Sequence, residues 1–311
     1  MGTPEFAVTI LDTLYNSNDV NVVACITAPD KPAGRGQKIN QSAVKKYTLE
    51  KDIPCLQPTN LKDDNFIGNL KAINADLFVV VAFRMLPEIV WSMPPKGTIN
   101  LHGSLLPQYR GAAPINWAVI NGEKETGVTT FFIEKEIDTG LVIERESLPI
   151  EENETAGELH DKLMYLGAKL TLQSVLKISK DEIVAVDQST LTEENLKPAP
   201  KIFKQDCRID FSKSIEELHN FIRGMSPYPT AWCKLENVNS GQQKTIKIFK
   251  TTISNKNNYA DNALIIEESK LYLQLSDGRL AVSEIQMEGK KRLNAKQFMQ
   301  GFRPEEWKIV E

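Results

Sequence analysis

Asn100 and His102 stand on alternate residues at the end of a β-rich run that includes Ile99. Side chains two residues apart in a strand face the same way, so the amide and the imidazole converge on one small volume. An amide donates hydrogen bonds and an imidazole is a base near neutral pH, so the two could act together on one carbonyl group. A Pro- and Gly-rich loop follows, within residues 104–117. This arrangement predicts catalysis of acyl transfer.

Asp138, in Ile137-Asp-Thr-Gly140, allows three interpretations. Asp in such a Gly-containing turn commonly forms an Asx-turn. Asp-Thr-Gly is also the signature of aspartic proteases, but these need two carboxylates sharing one proton, and this long chain carries a single copy. The third interpretation pairs Asp138 with His102, because a carboxylate beside an imidazole fixes its tautomer and favours its protonated form.

Two cationic segments lie apart from these residues in the sequence. Residues 29–38 are rich in Gly and Pro, carry Arg35 and Lys38, and lack the pattern of a phosphate-binding P-loop. They form either a solvated loop or a cationic flap that clamps a phosphodiester backbone. Gly289-Lys-Lys-Arg292 is compatible with a hairpin tip or with a second cationic patch.

The composition is that of an ordinary globular protein, with 41% hydrophobic and 25% charged residues in 311. The net charge is −4, yet residues 201–311 carry 18 Lys and Arg against 14 Asp and Glu, which hints at a polyanionic partner. No apolar run reaches the roughly 20 residues of a membrane helix, and the N-terminus has no signal-peptide pattern. The four scattered cysteines indicate reduced thiols in a cytoplasmic protein, with neither a disulfide framework nor a zinc site.

The first part of the chain alternates strand-like and helix-like segments. Continuous β-branched apolar runs at 20–29 and 76–83 are typical of strands buried on both faces of a parallel sheet. Helical patterns precede and separate them, over Thr3–Tyr15, Ser42–Lys51 and Asp63–Ile73. The alternation predicts βαβ units and a Rossmann-like α/β domain with an open, mostly parallel sheet.

Capping-box spacing marks two later helices, which begin after Thr155 and after Ser214. Between them, a Pro-punctuated stretch is the best linker candidate. The segments after the second helix form about five short β-like pieces, which predicts a small OB-like β-barrel. We therefore predict a catalytic domain at 1–182, a linker at 183–203 and a barrel domain at 204–311.

On these residues the chain resembles the methionyl-tRNA formyltransferase family, essentially from end to end. The motifs that carry the resemblance are Gly2-Thr-Pro-Glu-Phe-Ala7, residues 29–36, Asn100-Leu-His102, the 104–117 block, Asp138-Thr-Gly140 and Gly289-Lys-Lys291. The resemblance implies transfer of a formyl group from 10-formyltetrahydrofolate, a co-substrate, to the α-amine of methionine esterified to initiator tRNA, with no metal required. The family's role in translation initiation further implies a cytoplasmic protein, and we expect a monomer.

The resemblance also assigns the site residues. It implies catalytic roles for Asn100, His102 and Asp138, and contact with the folate for Ser104, Leu105, Leu106 and Pro107. It implies tRNA binding by Arg35, Lys38, Lys290 and Lys291.

Two other functions stay open at this point. Sibling formyltransferases that act on an amino sugar nucleotide share Asn100, His102 and Asp138, so these residues alone do not discriminate between the substrates. The family usually has a short apolar strand before the G-T-P turn, whereas this sequence starts at Met1 on the turn itself. We expect that strand to belong inside the sheet. A truncated, inactive RNA-binding protein is therefore the second alternative.

Overall fold

The structure is a computed structural model in which residues 1–33, 38–191, 195–259 and 261–310 are described. They form two compact units. The N-terminal unit contains Met1–Gly111, Gly127–Leu148 and Asp161–Pro198, and the C-terminal unit contains Ala112–Thr126, Pro149–His160 and Ala199–Glu311.

Helices and strands alternate along the first half, and strands dominate the end. The helices are α1 (Glu5–Tyr15), α2 (Ala43–Glu50), α3 (Asp64–Ile73), α4 (Glu88–Trp91), α5 (Pro114–Ile120), α6 (Ala156–Ser179), α7 (Ile215–Gly224) and α8 (Ala295–Met299). The strands are β1 (Cys25–Ile26), β2 (Lys31–Ala33), β3 (Lys38–Asn40), β4 (Cys55–Leu56), β5 (Phe78–Val81), β6 (Thr98–His102), β7 (Glu125–Phe132), β8 (Val142–Pro149), β9 (Ala231–Asn237), β10 (Gln243–Asn255), β11 (Ala263–Glu267), β12 (Lys270–Leu275), β13 (Gly278–Met287), β14 (Leu293–Asn294) and β15 (Trp307–Val310).

Side-chain caps explain where several helices begin. Ser42 accepts a hydrogen bond from the Lys45 amide, and Asp63 accepts one from the Phe66 amide, which confirms the predicted starts of α2 and α3. Ser214 and Glu217 form the predicted reciprocal capping box at α7. Each cap satisfies backbone donors that the first helical turn leaves without a partner.

The central sheet of the N-terminal unit has the strand order β5-β6-β7-β8, and β1 pairs with β4 beside it. The pairs β5–β6 and β1–β4 are parallel, whereas β6–β7 is antiparallel. The predicted strand over 20–29 is wrong in its length, since only Cys25–Ile26 is a strand. The physical reason is pairing: β1 has β4 along one edge, but the other edge meets little more than the N–H of Gly2, which donates to Ile26 O at 3.0 Å.

Met1 and Gly2 lie between β1 and β5 and form backbone hydrogen bonds with both strands. Gly2 pairs in parallel with Val81, and the ammonium of Met1 donates to Val79 O at 2.6 Å. Burial lowers the pKa of that ammonium. Next to this bridge lies a cavity of about 600 Å³, lined by apolar side chains that include Ile10, Leu14, Ile26, Leu70, Val175 and Ile178. The β1–β4 pair and the four-stranded sheet are thus separate beside this apolar cavity.

Joining an apolar segment of about six residues to Met1 is expected to stabilise the protein, because the segment can pair with both open strand edges and fill the cavity. Each apolar side chain that the segment buries contributes about 1.5–3 kcal/mol and each new backbone hydrogen bond about 0.5–1.5 kcal/mol, which together exceed the cost of about 1–2 kcal/mol for ordering each residue, so we expect a gain of about 2 kcal/mol in the free energy of unfolding. Urea denaturation measures this gain. A Gly/Ser segment of equal length is the control, and equal stability of the two proteins would contradict the prediction.

The C-terminal unit contains an antiparallel sheet with the order β11-β12-β13-β10-β9-β15, to which β14 adds on β13. The two end strands, β11 and β15, are in contact, so the sheet curls into a nearly closed barrel. Ile215, Leu218 and Ile222 of α7 are fully buried against its core. The predicted barrel is confirmed, but the prediction of five strands and one helix omitted β14, β15 and α8. These elements have two, four and five residues, too few for a hydrophobic period to emerge.

The four cysteines have free thiols. Burial raises the pKa of Cys25 to about 11 and that of Cys233 to about 12, so both stay protonated and unreactive at neutral pH. Within the described ranges, no helix has the length and apolar character needed to cross a membrane.

Candidate active site

His102 is the last residue of β6 and is almost completely buried, with 6% of its surface exposed. Its Nε2 lies 2.8 Å from the carbonyl oxygen of Tyr109, and its ring meets the edge of Phe131 at 87°. A carbonyl oxygen only accepts hydrogen bonds, so Nε2 must carry the proton. The neutral imidazole therefore has its lone pair on Nδ1, which is the atom able to take a proton.

Asp138 approaches that same nitrogen. Its Oδ2 lies 3.8 Å from Nδ1 of His102, and both side chains are largely buried. The distance exceeds a hydrogen bond, so the carboxylate acts on the ring through its charge. The structure brings the predicted pair together but corrects one detail: the Tyr109 carbonyl, rather than the carboxylate, fixes the tautomer. A buried carboxylate at this distance stabilises the imidazolium once Nδ1 is protonated.

The turn that carries Asp138 is held in a constrained form. Asp138 adopts φ +57°, a left-handed conformation that Asp tolerates better than most residues, and its Oδ2 accepts the Gly111 N–H at 2.9 Å. Gly140 must be a glycine here, because a Cβ on it would lie 1.8 Å from the Phe132 carbonyl oxygen. The triplet Asp-Thr-Gly is thus explained by the close approach of this turn to the end of β7.

Gln188 connects this turn to the loop after β6, and sequence reasoning missed it. Its side-chain amide donates to Asp138 O at 2.9 Å and to Gly140 O at 2.8 Å. Its Oε1 accepts two hydrogen bonds from Arg110, at 3.0 and 2.6 Å. Gln188 lies within the predicted linker, 183–203, and the local signal next to it is the Asp187 cap, which indicates a turn.

Asn100 lies on the same face of β6 as His102, since one residue separates them in the strand. It is half-buried, and its side chain makes no hydrogen bond to any residue that the structure describes. Its amide is therefore available to a ligand. A donor and a base on one strand face, with a carboxylate beside the basic nitrogen, can polarise a carbonyl and remove a proton from an attacking nucleophile.

The Ser104–Pro107 segment is built mainly from inward-facing side chains. Ser104 and Leu106 have no exposed surface, and the hydroxyl of Ser104 donates to Gln108 O at 2.6 Å. Thr129 of β7 accepts from the Leu106 amide and donates to Ser104 O. Of the four predicted folate contacts, Leu105 is half-buried and the other three are buried.

The structure describes the predicted cationic residues to different extents. Arg35 lies outside the described residues, and Lys38 is described through the backbone of β3, which pairs with β2. Lys290 and Lys291 are exposed in the turn between β13 and β14, which are antiparallel partners. They thus form a hairpin tip in the C-terminal unit, as one of the two sequence interpretations expected.

Comparison with known proteins identifies both parts of the chain. Residues 1–175 match the family described as formyl transferase, and residues 201–303 match the formyl transferase C-terminal domain. Proteins named methionyl-tRNA formyltransferase are similar along nearly the whole length. That of Azobacteroides pseudotrichonymphae is 50% identical over 307 residues, covering 97% of this chain and 94% of its own. That of Flavobacterium psychrophilum is 49% identical over 311 residues, covering 100% and 97%.

Solved structures share the fold at lower identity. The sugar 3N-formyl transferase WlaRD, solved in the presence of dTDP and 5-N-formyl-THF, is 22% identical with a TM-score of 0.64, covering 93% of this chain and 97% of its own. HypX from Aquifex aeolicus, in complex with tetrahydrofolic acid, is 15% identical with a TM-score of 0.59, covering 81% and 43%. From the full-length identities, this chain belongs to the methionyl-tRNA formyltransferase family.

Proposed function

We propose that this protein transfers the formyl group of 10-formyltetrahydrofolate to the α-amine of methionyl initiator tRNA, which yields N-formylmethionyl-tRNA for translation initiation. The observation that carries the proposal is the placement of Asn100, His102 and Asp138 at one strand end, in a chain about half identical to methionyl-tRNA formyltransferases. We further propose that residues 1–182 bind the folate and perform catalysis, that 183–203 are a linker, and that 204–311 bind tRNA. The protein would act as a cytoplasmic monomer.

In the proposed reaction, the amine nitrogen of methionine forms a bond to the formyl carbon, and the bond from that carbon to the folate N10 breaks. Asn100 donates a hydrogen bond to the formyl oxygen as negative charge develops on it. His102 removes the proton from the amine through Nδ1 and returns it to N10, so that protons and charges balance. Asp138 stabilises the imidazolium that exists between the two transfers.

The substrates would contact different parts of the chain. For the folate we propose contact along residues Ser104, Leu105, Leu106 and Pro107. The side chain of Leu105 is the partly exposed one, so the other three would contribute through backbone or shape. For the tRNA we propose Arg35, Lys38, Lys290 and Lys291. Lys290 and Lys291 support this role because they are exposed and form no ion pair with any residue the structure describes.

Charge removal tests the tRNA contacts. Lys290→Ala/Lys291→Ala is expected to raise KM for methionyl-tRNA and to reduce the slope of log KM against log salt by about 2, because each phosphate contact contributes about 1. Arg35→Ala is expected to reduce it by about 1. Because none of these residues belongs to the proposed catalytic group, kcat should be unchanged. Lys270→Ala, at another hairpin of the same unit, is the control, and an unchanged salt slope in the variants would contradict the assignment.

A direct assay tests the function. Purified protein is incubated with 10-formyltetrahydrofolate and, in parallel, with methionyl initiator tRNA or with a dTDP-linked amino sugar. We expect formylation of the tRNA-bound methionine and none of the sugar. Transfer to the sugar alone would establish the sibling activity instead. Binding of tRNA without transfer to either acceptor would support the inactive RNA-binding alternative.

A further inference from the structure

We propose that Gln188 is a positioning residue for catalysis, which holds the Asp138 carboxylate in place beside Nδ1 of His102. The inference rests on the proposed roles of Asp138 and His102. The sequence pattern and the family resemblance do not indicate a role for Gln188, whereas the hydrogen bonds of its side chain do.

Gln188 is buried, with 2% of its surface exposed, and its side-chain amide is fully used. The two N–H groups donate to the carbonyl oxygens of Asp138 and Gly140, one on each side of Thr139. A single planar amide therefore fixes both ends of the turn. Asp138 is in a left-handed conformation, which an unsupported loop would leave readily.

The side-chain oxygen of Gln188 holds the loop after β6, on the other side of the Asp138 carboxylate. Oε1 of Gln188 accepts hydrogen bonds from Nε and Nη2 of Arg110. The residue after Arg110, Gly111, donates its N–H to the Asp138 carboxylate. Two loops thus orient the Asp138 carboxylate, and the Gln188 side chain forms hydrogen bonds with both of them. Loss of Gln188 would uncouple the loops while leaving Asp138 itself intact.

The backbone of Gln188 is also well anchored. Val186 exchanges two hydrogen bonds of 2.8 Å with Val142 of β8. Asp187 accepts from the Ser189 amide and hydroxyl, which begins a short 3₁₀ turn at Gln188. Because β8 belongs to the central sheet, the pairing of Val186 with β8 fixes the backbone next to Gln188 relative to that sheet. The side-chain hydrogen bonds of Gln188 then hold the turn that carries the Asp138 carboxylate.

A double-mutant cycle distinguishes positioning from a general structural role. Gln188→Ala is expected to lower kcat for formyl transfer by about 10–100-fold, the effect of a displacement on the order of 1 Å, with KM for both substrates within about twofold of wild type. In an Asp138→Ala background the same change should lower kcat by less than about threefold, since the group it positions is gone. Equal fold losses in both backgrounds, or no loss in the wild-type background, would overturn the proposal.

A second variant guards against loss of folding. Gln188→Glu keeps an acceptor for Arg110 but removes the donor to Asp138 O and Gly140 O. We expect this variant to lose kcat at least as strongly as Gln188→Ala does, because a carboxylate oxygen then faces two carbonyl oxygens, and circular dichroism at the assay temperature checks that the protein is folded. Wild-type kcat in this variant would overturn the proposal. Gln173→Ala is the control, because Gln173 is an exposed glutamine of the same unit whose side chain, among the described residues, bonds only to Glu144.

A crystal structure of the Gln188→Ala protein separates this inference from the proposed function, because it needs no assay. The expected result is a separation between Gly111 N and Asp138 Oδ2 beyond hydrogen-bond range. An unchanged separation would overturn the inference. Failure of the wild-type protein to formylate methionyl-tRNA would instead count against the proposed function.

Discussion

His102→Ala is expected to lower kcat for formyl transfer by about 10²–10⁴-fold, because the substitution removes the base that takes the amine proton. KM for methionyl-tRNA should change little, since a residue with 6% of its surface exposed offers almost no binding area to a nucleic acid. Single-turnover formylation with enzyme in excess measures the chemical step directly. A rise in KM with kcat unchanged would contradict the role of His102 as base.

His102→Gln is the matched variant. Its side-chain amide can still donate to the Tyr109 carbonyl, as Nε2 of the histidine does, but it contains no basic nitrogen. We expect this protein to keep the wild-type melting temperature and to be as slow as His102→Ala. His160→Ala provides the control, because His160 lies in α6 and has no part in the proposed reaction. Wild-type rates in His102→Gln would show that the hydrogen bond, rather than the base, matters.

Asn100→Ala is expected to lower kcat by about 10²–10³-fold, the usual effect of removing one hydrogen-bond donor to a developing oxyanion. Stability should be almost unchanged, because the Asn100 amide makes no hydrogen bond within the described part of the chain. Rapid-quench measurement of product formation, together with thermal unfolding, checks both expectations. Asn65→Ala, on the exposed face of α3, is the control.

Comparison of Asn100→Ala with Asn100→Asp sharpens this test. The carboxylate has the shape of the amide but no N–H donor at neutral pH, and it places negative charge where the oxyanion develops. Asn100→Asp should therefore be at least as slow as Asn100→Ala. A faster reaction with aspartate than with alanine would contradict the proposed hydrogen bond to the formyl oxygen.

The shared strand face of Asn100 and His102 could be predicted because its signal is local. The period of a strand places Asn100 and His102 on one face, and the structure shows β6 ending at His102. The Ser214 capping box marked the start of α7 equally well. In both cases the contacts that matter lie within a few residues of each other in the chain, so the sequence pattern contains them.

Long-range contacts could not be read in the same way. Gln188 is 50 residues from Asp138, and a buried glutamine leaves no pattern in its neighbours. The length of β1 was overpredicted for a related reason: its apolar sequence favours a long strand, but its partner β4 is short and pairs with Cys25 and Ile26 only. Likewise, only the structure revealed that the tautomer of His102 is set by the carbonyl of Tyr109.

In the proposed reaction, His102 and Asn100 act together to transfer a formyl group from the folate to tRNA-bound methionine. The most direct measurement is single-turnover formylation of methionyl initiator tRNA with 10-formyltetrahydrofolate, for wild type, His102→Gln and Asn100→Ala in parallel. We expect rapid formylation by wild type and a loss of about 10²-fold or more in each variant. Formylation by both variants at the wild-type rate, or none by correctly folded wild-type protein, would contradict this expectation.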